Sequence, residues 1–382
     1  MSEKKGMAFQ SEYIRWLFVI LCIYVLLVAV GLIGKGFRLE FGDKEGVASL
    51  FALGTNPFVG LVLGILATAL LQSSSTVTSI IVGLVAGGMP IAVAIPMVMG
   101  ANVGTTITNT IVSFGHVGRS DEFRKAFAAA TVHDFFNVLS IVIFLPLELA
   151  FGFIDKLSGE LTHIVENIGT VDAGGKGIFK VVIGFGTGLF ESLISWLPDV
   201  WAGLVLIFLG IALILVSIMY LGKALKSVFV GKAQRFLHAA VGKGPVTGIF
   251  SGTLVTVLVQ SSSTTTSLIV PLAGSGVIRL RQVYPFTLGA NIGTTITALL
   301  AATAITGPTH AVAHQIAIAH FLYNLVGVIV IYGIPWLREV PIVGAEWLAR
   351  LGSERKWLAI LYIIFAFFGI PAALVFANAW LF

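Results

Sequence analysis

The sequence predicts an all-α integral membrane protein built from two repeats of opposite topology, each carrying a re-entrant helical hairpin. Three observations lead there. Of 382 residues, 57% are hydrophobic and only 11% charged, against about 25% charged in a soluble domain, and the mean hydropathy is +1.00. Residues 46–118, 244–278 and 282–337 contain no Asp, Glu, Lys or Arg, so each stretch suits membrane segments of about 20 residues joined by uncharged turns. Finally, one tract occurs twice: GLVLGILATALLQSSSTVTSI (60–80) and GIFSGTLVTVLVQSSSTTTSL (248–268) agree at 12 of 21 positions, 188 residues apart. The composition excludes a soluble enzyme, a disordered chain and a disulfide-rich fold. Cys22 is the sole cysteine, no Asn-x-Ser/Thr sequon is present, and the net charge of +5 reads as loop basicity facing the cytoplasm, not as a nucleic-acid footprint.

Taken in order, residues 1–150 form the first repeat: a span from Ile14 to about Gly34, a hairpin over 55–88, then two spans. The run after Arg15 is long for a signal segment and lacks an Ala-x-Ala site, so it reads as a retained helix. The hairpin's first arm, from Pro57 to Leu71, gives about 22 Å of helix, too short to cross. A polar tip follows, and polar backbone at membrane depth is tolerable only where it lines a cavity or is buried in protein. Residues 151–198 form a connection; 178–198 is apolar but reads as interfacial or re-entrant, because a crossing there would put the basic segment 223–243 outside. Residues 199–335 repeat the plan, with the hairpin over 245–277. Residues 336–382 form a charged loop and a last span from about Trp357 to Trp380. Lys223, Lys226, Lys232, Arg235 and Lys243 come without an acid between them, which places that segment in the cytoplasm. Three crossings per half then invert the second half, with the N-terminus inside and the C-terminus outside.

Paired broken segments in inverted repeats point to a secondary transporter with a midplane site. Each tip offers a glutamine amide and three hydroxyls: Gln72 with Ser73, Ser74 and Ser75, and Gln260 with Ser261, Ser262 and Ser263. Free N–H groups at a half-helix N-terminus favour an anion; free carbonyls at the facing C-terminus favour a cation. No Lys or Arg lies in the tips, so bound cations supply the missing charge. Amide and hydroxyl oxygens suit a hard cation such as Na⁺, and no cluster suits a transition metal. The plainer reading of such tracts, polar packing between helices, loses ground when they recur at matching positions. GANVGTTIT (100–108) and GANIGTTIT (289–297) also recur; here a close glycine contact competes with a binding role. For His133/Asn137 and His320/Asn324, the i, i+4 spacing favours a hydrogen-bonded support between helices. Asp134 is an acid within a span, functional by default unless it pairs with Arg124 or Lys125.

These tracts, together with FRKAFAAATVHDFFN (123–137), resemble the type II sodium-dependent phosphate cotransporters over nearly the whole chain. The resemblance implies inorganic phosphate as substrate and Na⁺ as coupling ion, with no organic cofactor. It implies phosphate contacts at Ser73, Ser74, Ser75, Ser261, Ser262 and Ser263, and sodium or site-shaping roles at Gln72, Gln260, Asn102, Asn291, Thr294 and Thr297. Animal members carry a large disulfide-bonded, glycosylated loop between the halves. The short connection here looks like a bacterial member in the inner membrane, with lipid as its surroundings and a homodimer as one assembly. Electrogenic members carry an added Asp near the site; residues 73–110 hold no acid, so electroneutral symport is expected. Two alternatives remain: symport of another oxyanion such as sulfate or arsenate, and an intramembrane hydrolase using Ser73, His133 and Asp134. The second lacks a single activated serine and a Gly-x-Ser-x-Gly elbow.

Overall fold

The computed structural model describes residues 12–41, 56–168, 175–240 and 243–373, and is helical throughout apart from short turns. The segment before Glu12 and the part of the last span after residue 373 lie outside the described residues. Seven helices among those described are long and apolar enough to cross a membrane: Tyr13–Glu40, Ile91–His116, Ser120–Phe151, Trp201–Leu225, Leu280–Ala302, His310–Tyr332 and Lys356–Ala373. Seven is also the number of crossings that the sequence reading expects. The hairpin arms are shorter: α2 (Pro57–Leu71) with α3 (Ser74–Ala86), and α10 (Pro245–Val259) with α11 (Ser262–Gly274).

The remaining helices are α1 (Glu12–Phe41), α4 (Ile91–Gly104), α5 (Ile107–Ser113), α6 (Ser120–Phe151), α7 (Phe153–Ile168), α8 (Gly175–Ile194), α9 (Asp199–Ala240), α12 (Leu280–Ala302), α13 (His310–Gly327), α14 (Pro335–Glu354) and α15 (Lys356–Ile364). Helix α1 packs along α9. The first hairpin arm packs on the helix carrying its repeat's GAN motif: α2 on α4, and α10 on α12. Both crossings are made by glycines. A methyl at Gly100 would collide with the Leu61 carbonyl, and one at Gly289 with the Ile249 carbonyl. Backbones therefore touch, which only Gly permits. The close-contact reading of the GAN motifs holds for their glycines.

Two expected loops are helices. Helix α9 runs unbroken for 42 residues, so Lys223 continues a span instead of opening a loop. Residues 335–354, expected as a charged connection, form α14; Pro335 starts it, and Leu337, Ile342, Ala345, Leu348 and Ala349 bury one face at helical spacing. Helix α8, 20 residues from Gly175 to Ile194, covers most of the apolar segment 178–198.

Candidate binding site at the two hairpin tips

Each tip is a sharp reversal between two half-helices. Gln72 and Gln260 cap α2 and α10 with φ of 54° each, and among the described residues they are the only non-glycines with positive φ. Such left-handed residues cost on the order of 1–3 kcal/mol and persist where the surroundings enforce them. The enforcing bonds are visible. The Gln72 amide donates to the Ala69 carbonyl (2.6 Å), and its Oε1 accepts from Thr108 Oγ1 (2.6 Å). Gln260 donates to Val257 (2.8 Å) and accepts from Thr297 (2.8 Å). Each glutamine thus satisfies a carbonyl orphaned at its helix end and ties the tip to the end of a GAN segment.

The next residue turns extended and caps the second arm. Ser73 Oγ accepts from the Thr76 N–H at 3.2 Å, and Ser261 Oγ from the Thr264 N–H at 3.2 Å. Both are N-caps of the preferred type. The first N–H groups of α3 and α11, from Ser74, Ser75, Ser262 and Ser263, have no intrahelical acceptor. Both sets face one cavity of about 480 Å³, lined by residues 72–76 and 260–264. Two helix N-termini, with the six serines and the flanking Thr76 and Thr264, therefore line one space. That arrangement suits an oxyanion.

The opposite wall comes from α9: Leu215, Val216, Ile218 and Met219, ending at Gly222 and Lys223. The tips themselves hold no cation, but the cavity does. Lys223 lies with its ammonium 5.1 Å from the Tyr220 ring centroid.

Not all expected residues reach the cavity. Gln72, Gln260 and the six serines line it, and Thr297 contacts it through Gln260. Thr294 is buried and donates to the Ala290 carbonyl at 3.0 Å. Asn102 and Asn291 lie in a buried network that crosses between the repeats. His133 Nε2 donates to Asn291 Oδ1 (2.6 Å), and Asn291 Nδ2 to Asn137 Oδ1 (2.8 Å). In the mirror set, His320 Nε2 donates to Asn102 Oδ1 (3.2 Å), and Asn102 Nδ2 to Asn324 Oδ1 (2.8 Å). Asn137 Nδ2 joins the two sets by donating to the Asn102 carbonyl at 3.0 Å. The support reading of the His/Asn pairs fits this geometry.

Asp134 does not pair with Arg124 or Lys125, both of which bind Asp121 (3.0 and 2.7 Å). It accepts from Tyr362 Oη at 2.8 Å and Thr110 Oγ1 at 3.4 Å. With His133 bonded to Asn291 and Ser73 to Thr76, no Ser–His–Asp relay is assembled. Among the described residues no group of three or more His, Cys, Asp and Glu could hold a metal. The residues missed from sequence are Lys223 and Thr108. Thr108 was within reach, since it is the repeat counterpart of Thr297.

A family profile described as Na⁺/Pi-cotransporter matches residues 25–187 and 213–335. The chain belongs to this family. It is a family of transporters, not of enzymes. The chain is 34% identical over 419 residues to sodium-dependent phosphate transport protein 2A of Rattus norvegicus, covering 92% of this chain and 65% of that protein. It is 33% identical over 435 residues to protein 2B of Homo sapiens, covering 91% and 63%. The chain therefore spans slightly less than two thirds of the length of these relatives. No solved structure matches it.

Proposed function

We propose that this protein is a symporter that couples inorganic phosphate to Na⁺ across the membrane by alternating access. The observation that carries the reading is the convergence of both Gln-Ser-Ser-Ser tips, each at a helix N-terminus, on one cavity. Membership of the cotransporter family and the names of the relatives supply the substrate pair. Ser73, Ser74, Ser75, Ser261, Ser262 and Ser263 donate to the phosphate oxygens. Gln72, Gln260 and Thr297 supply oxygens to Na⁺ beside the tips, while Asn102 and Asn291 shape the site through their buried network and Thr294 from its buried place on α12. Anion and cations each lower the cost of binding the other, which is coupling.

Our reading keeps the two halves as inverted repeats in the plasma membrane, the bacterial inner membrane, with the N-terminus inside and the C-terminus outside. The tips move with α4 and α12, to which glycine contacts lock their first arms. The scaffold is α1 with α9, whose apolar wall offers the tips a surface without fixed hydrogen bonds. Transport is electroneutral, with Na⁺ balancing divalent phosphate. Radiolabelled phosphate uptake into proteoliposomes tests this. Uptake is expected under an inward Na⁺ gradient and not with K⁺, competed by arsenate and not by sulfate. A steady-state current requiring both solutes would overturn electroneutrality. Uptake of sulfate in place of phosphate would overturn the substrate.

A further inference from the structure

A second cavity, of about 460 Å³, lies away from the tips, where the start of α6, the end of α11, the start of α12 and the end of α14 meet. Its wall holds four cations, Arg124, Lys125, Arg279 and Arg350, and one acid, Glu346. Asp121 pairs with both Arg124 and Lys125. Two positive charges remain in excess, and Arg279 and Arg350 hold no ion pair among the described residues. The neighbouring Arg281 is already engaged: Glu339 takes both its nitrogens at 2.7 and 2.6 Å. Arg279 also caps α12, so the positive end of that helix opens at the same place. Over Gly276 the wall is open, and a methyl there would meet Lys125 Nζ at 3.7 Å.

The surface beside the cavity identifies the source of the anion. Trp336, Val340, Val343 and Trp347 follow one another at steps of four, three and four along α14, which puts them on one face. All four are exposed, between 44% and 69%. Arg350 comes one turn after Trp347, so the apolar stripe leads to the rim of the basic cavity. Helix α14 is not apolar enough to cross, and exposed tryptophans on such a helix mark the boundary between headgroups and acyl chains. We propose that the cavity binds the phosphate headgroup of an anionic phospholipid, whose acyl chains lie against the α14 stripe. Arg279 and Arg350 bind the headgroup directly, because Lys125 and Arg124 share Asp121. The site is independent of the transport cavity, and it anchors the start of α12, whose far half carries the second GAN motif.

The test uses full-length protein, delipidated in detergent, with phosphatidylglycerol, phosphatidylcholine and inorganic phosphate as probes. Binding is read by native mass spectrometry and by the shift in melting temperature. Phosphatidylglycerol is expected to bind and stabilise more strongly than phosphatidylcholine. The Arg279→Gln/Arg350→Gln double variant is expected to weaken phosphatidylglycerol binding about thirtyfold and to leave phosphatidylcholine binding unchanged. Trp347→Ala, which keeps both arginines, is expected to weaken both lipids. Equal binding of the two lipids, or a preference that survives in the double variant, would overturn the proposal. So would inorganic phosphate that binds and stabilises the wild type, but not the double variant, while phosphatidylglycerol does no more than phosphatidylcholine, since the cavity would then be a site for the free ion. Uptake of phosphate by the variant in phosphatidylcholine vesicles shows that it has folded.

Discussion

Replacing Ser73 by Asp separates the cap that the tip serine forms from the anion contact proposed for it. As an N-cap, Asp serves the Thr76 N–H as well as Ser does, and a negative charge at a helix N-terminus adds about 0.3–1 kcal/mol of stability. The fold of the hairpin is therefore kept. As an anion contact the same change is severe. A divalent anion about 4 Å from a carboxylate in a water-like medium is opposed by about 2 kcal/mol, and the lost hydroxyl bond to a charged group removes about 1.5–3 kcal/mol more. Together these raise the phosphate KM by about a thousandfold. Ser73→Ala behaves differently: it loses the cap, about 1 kcal/mol of stability, and one charge-assisted bond, about tenfold or more in KM. Ser261 carries the same pair of expectations through its bond from Thr264. The assay is phosphate-concentration-dependent uptake in proteoliposomes, with melting temperatures of the same preparations. An aspartate variant with wild-type stability and wild-type KM would refute the reasoning, because the anion would then lie elsewhere.

Other expectations follow from single contacts. Lys223→Gln is expected to raise the phosphate KM several-fold, since it removes the one cation that lines the cavity and charge pairs across a water-like space contribute about 1 kcal/mol; the effect shrinks in high salt and is read in the same uptake assay. Gly100→Ala or Gly289→Ala inserts a methyl where backbones touch, and overpacking of this kind costs about 1–3 kcal/mol; thermal melts in detergent read the loss, and an unshifted melt would show that the helices part freely. Asn291→Ala orphans His133 Nε2 and Asn137 Oδ1, at about 1–3 kcal/mol each. Its melting temperature is expected to fall while the surviving protein keeps its phosphate KM, and a changed KM with an unchanged melt would place Asn291 at the ligand instead.

The crossing helices and the tips were legible because both depend on local chemistry. A Gln-Ser-Ser-Ser tract between two 15-residue-scale apolar arms can be read without knowing its neighbours, and its recurrence 188 residues later makes a packing accident a poor account. The surroundings of Asn102 and Lys223 were not legible, for a common reason. Each depends on a partner far along the chain: Asn102 on His320 and Asn324, Lys223 on where a long helix lies against both tips. An amide oxygen in a membrane span looks alike whether it faces a sodium ion or a histidine. Lys223 stands first in a basic run, and charge alone ended the span there; the helix continues because nothing in the sequence breaks it. At α14 the charges of Arg338, Glu339, Glu346 and Arg350 masked an apolar stripe that helical spacing would have revealed.

Lys223 also bears on why the anion would need sodium at all. The N-termini of α3 and α11 each present roughly half a positive charge, and Lys223 adds one, so the cavity formed with α9 already offsets most of a divalent phosphate. If the tips move and α9 stays, the two half-charges travel with the ligand and the ammonium does not. The anion then leaves about half its countercharge behind at the moment it enters the lower-dielectric path, where the loss is felt most. Sodium bound beside Gln72 and Gln260, as proposed above, would move with the tips and restore the balance. On this account Na⁺ is required for the moving step more than for the encounter. Lys223→Gln is therefore expected to raise the KM only for phosphate arriving on the side where the tips face α9, measured by comparing uptake with efflux in vesicles of fixed orientation. An equal rise on both sides would mean that Lys223 travels with the tips, and the division of the protein into scaffold and moving part would have to be redrawn through α9.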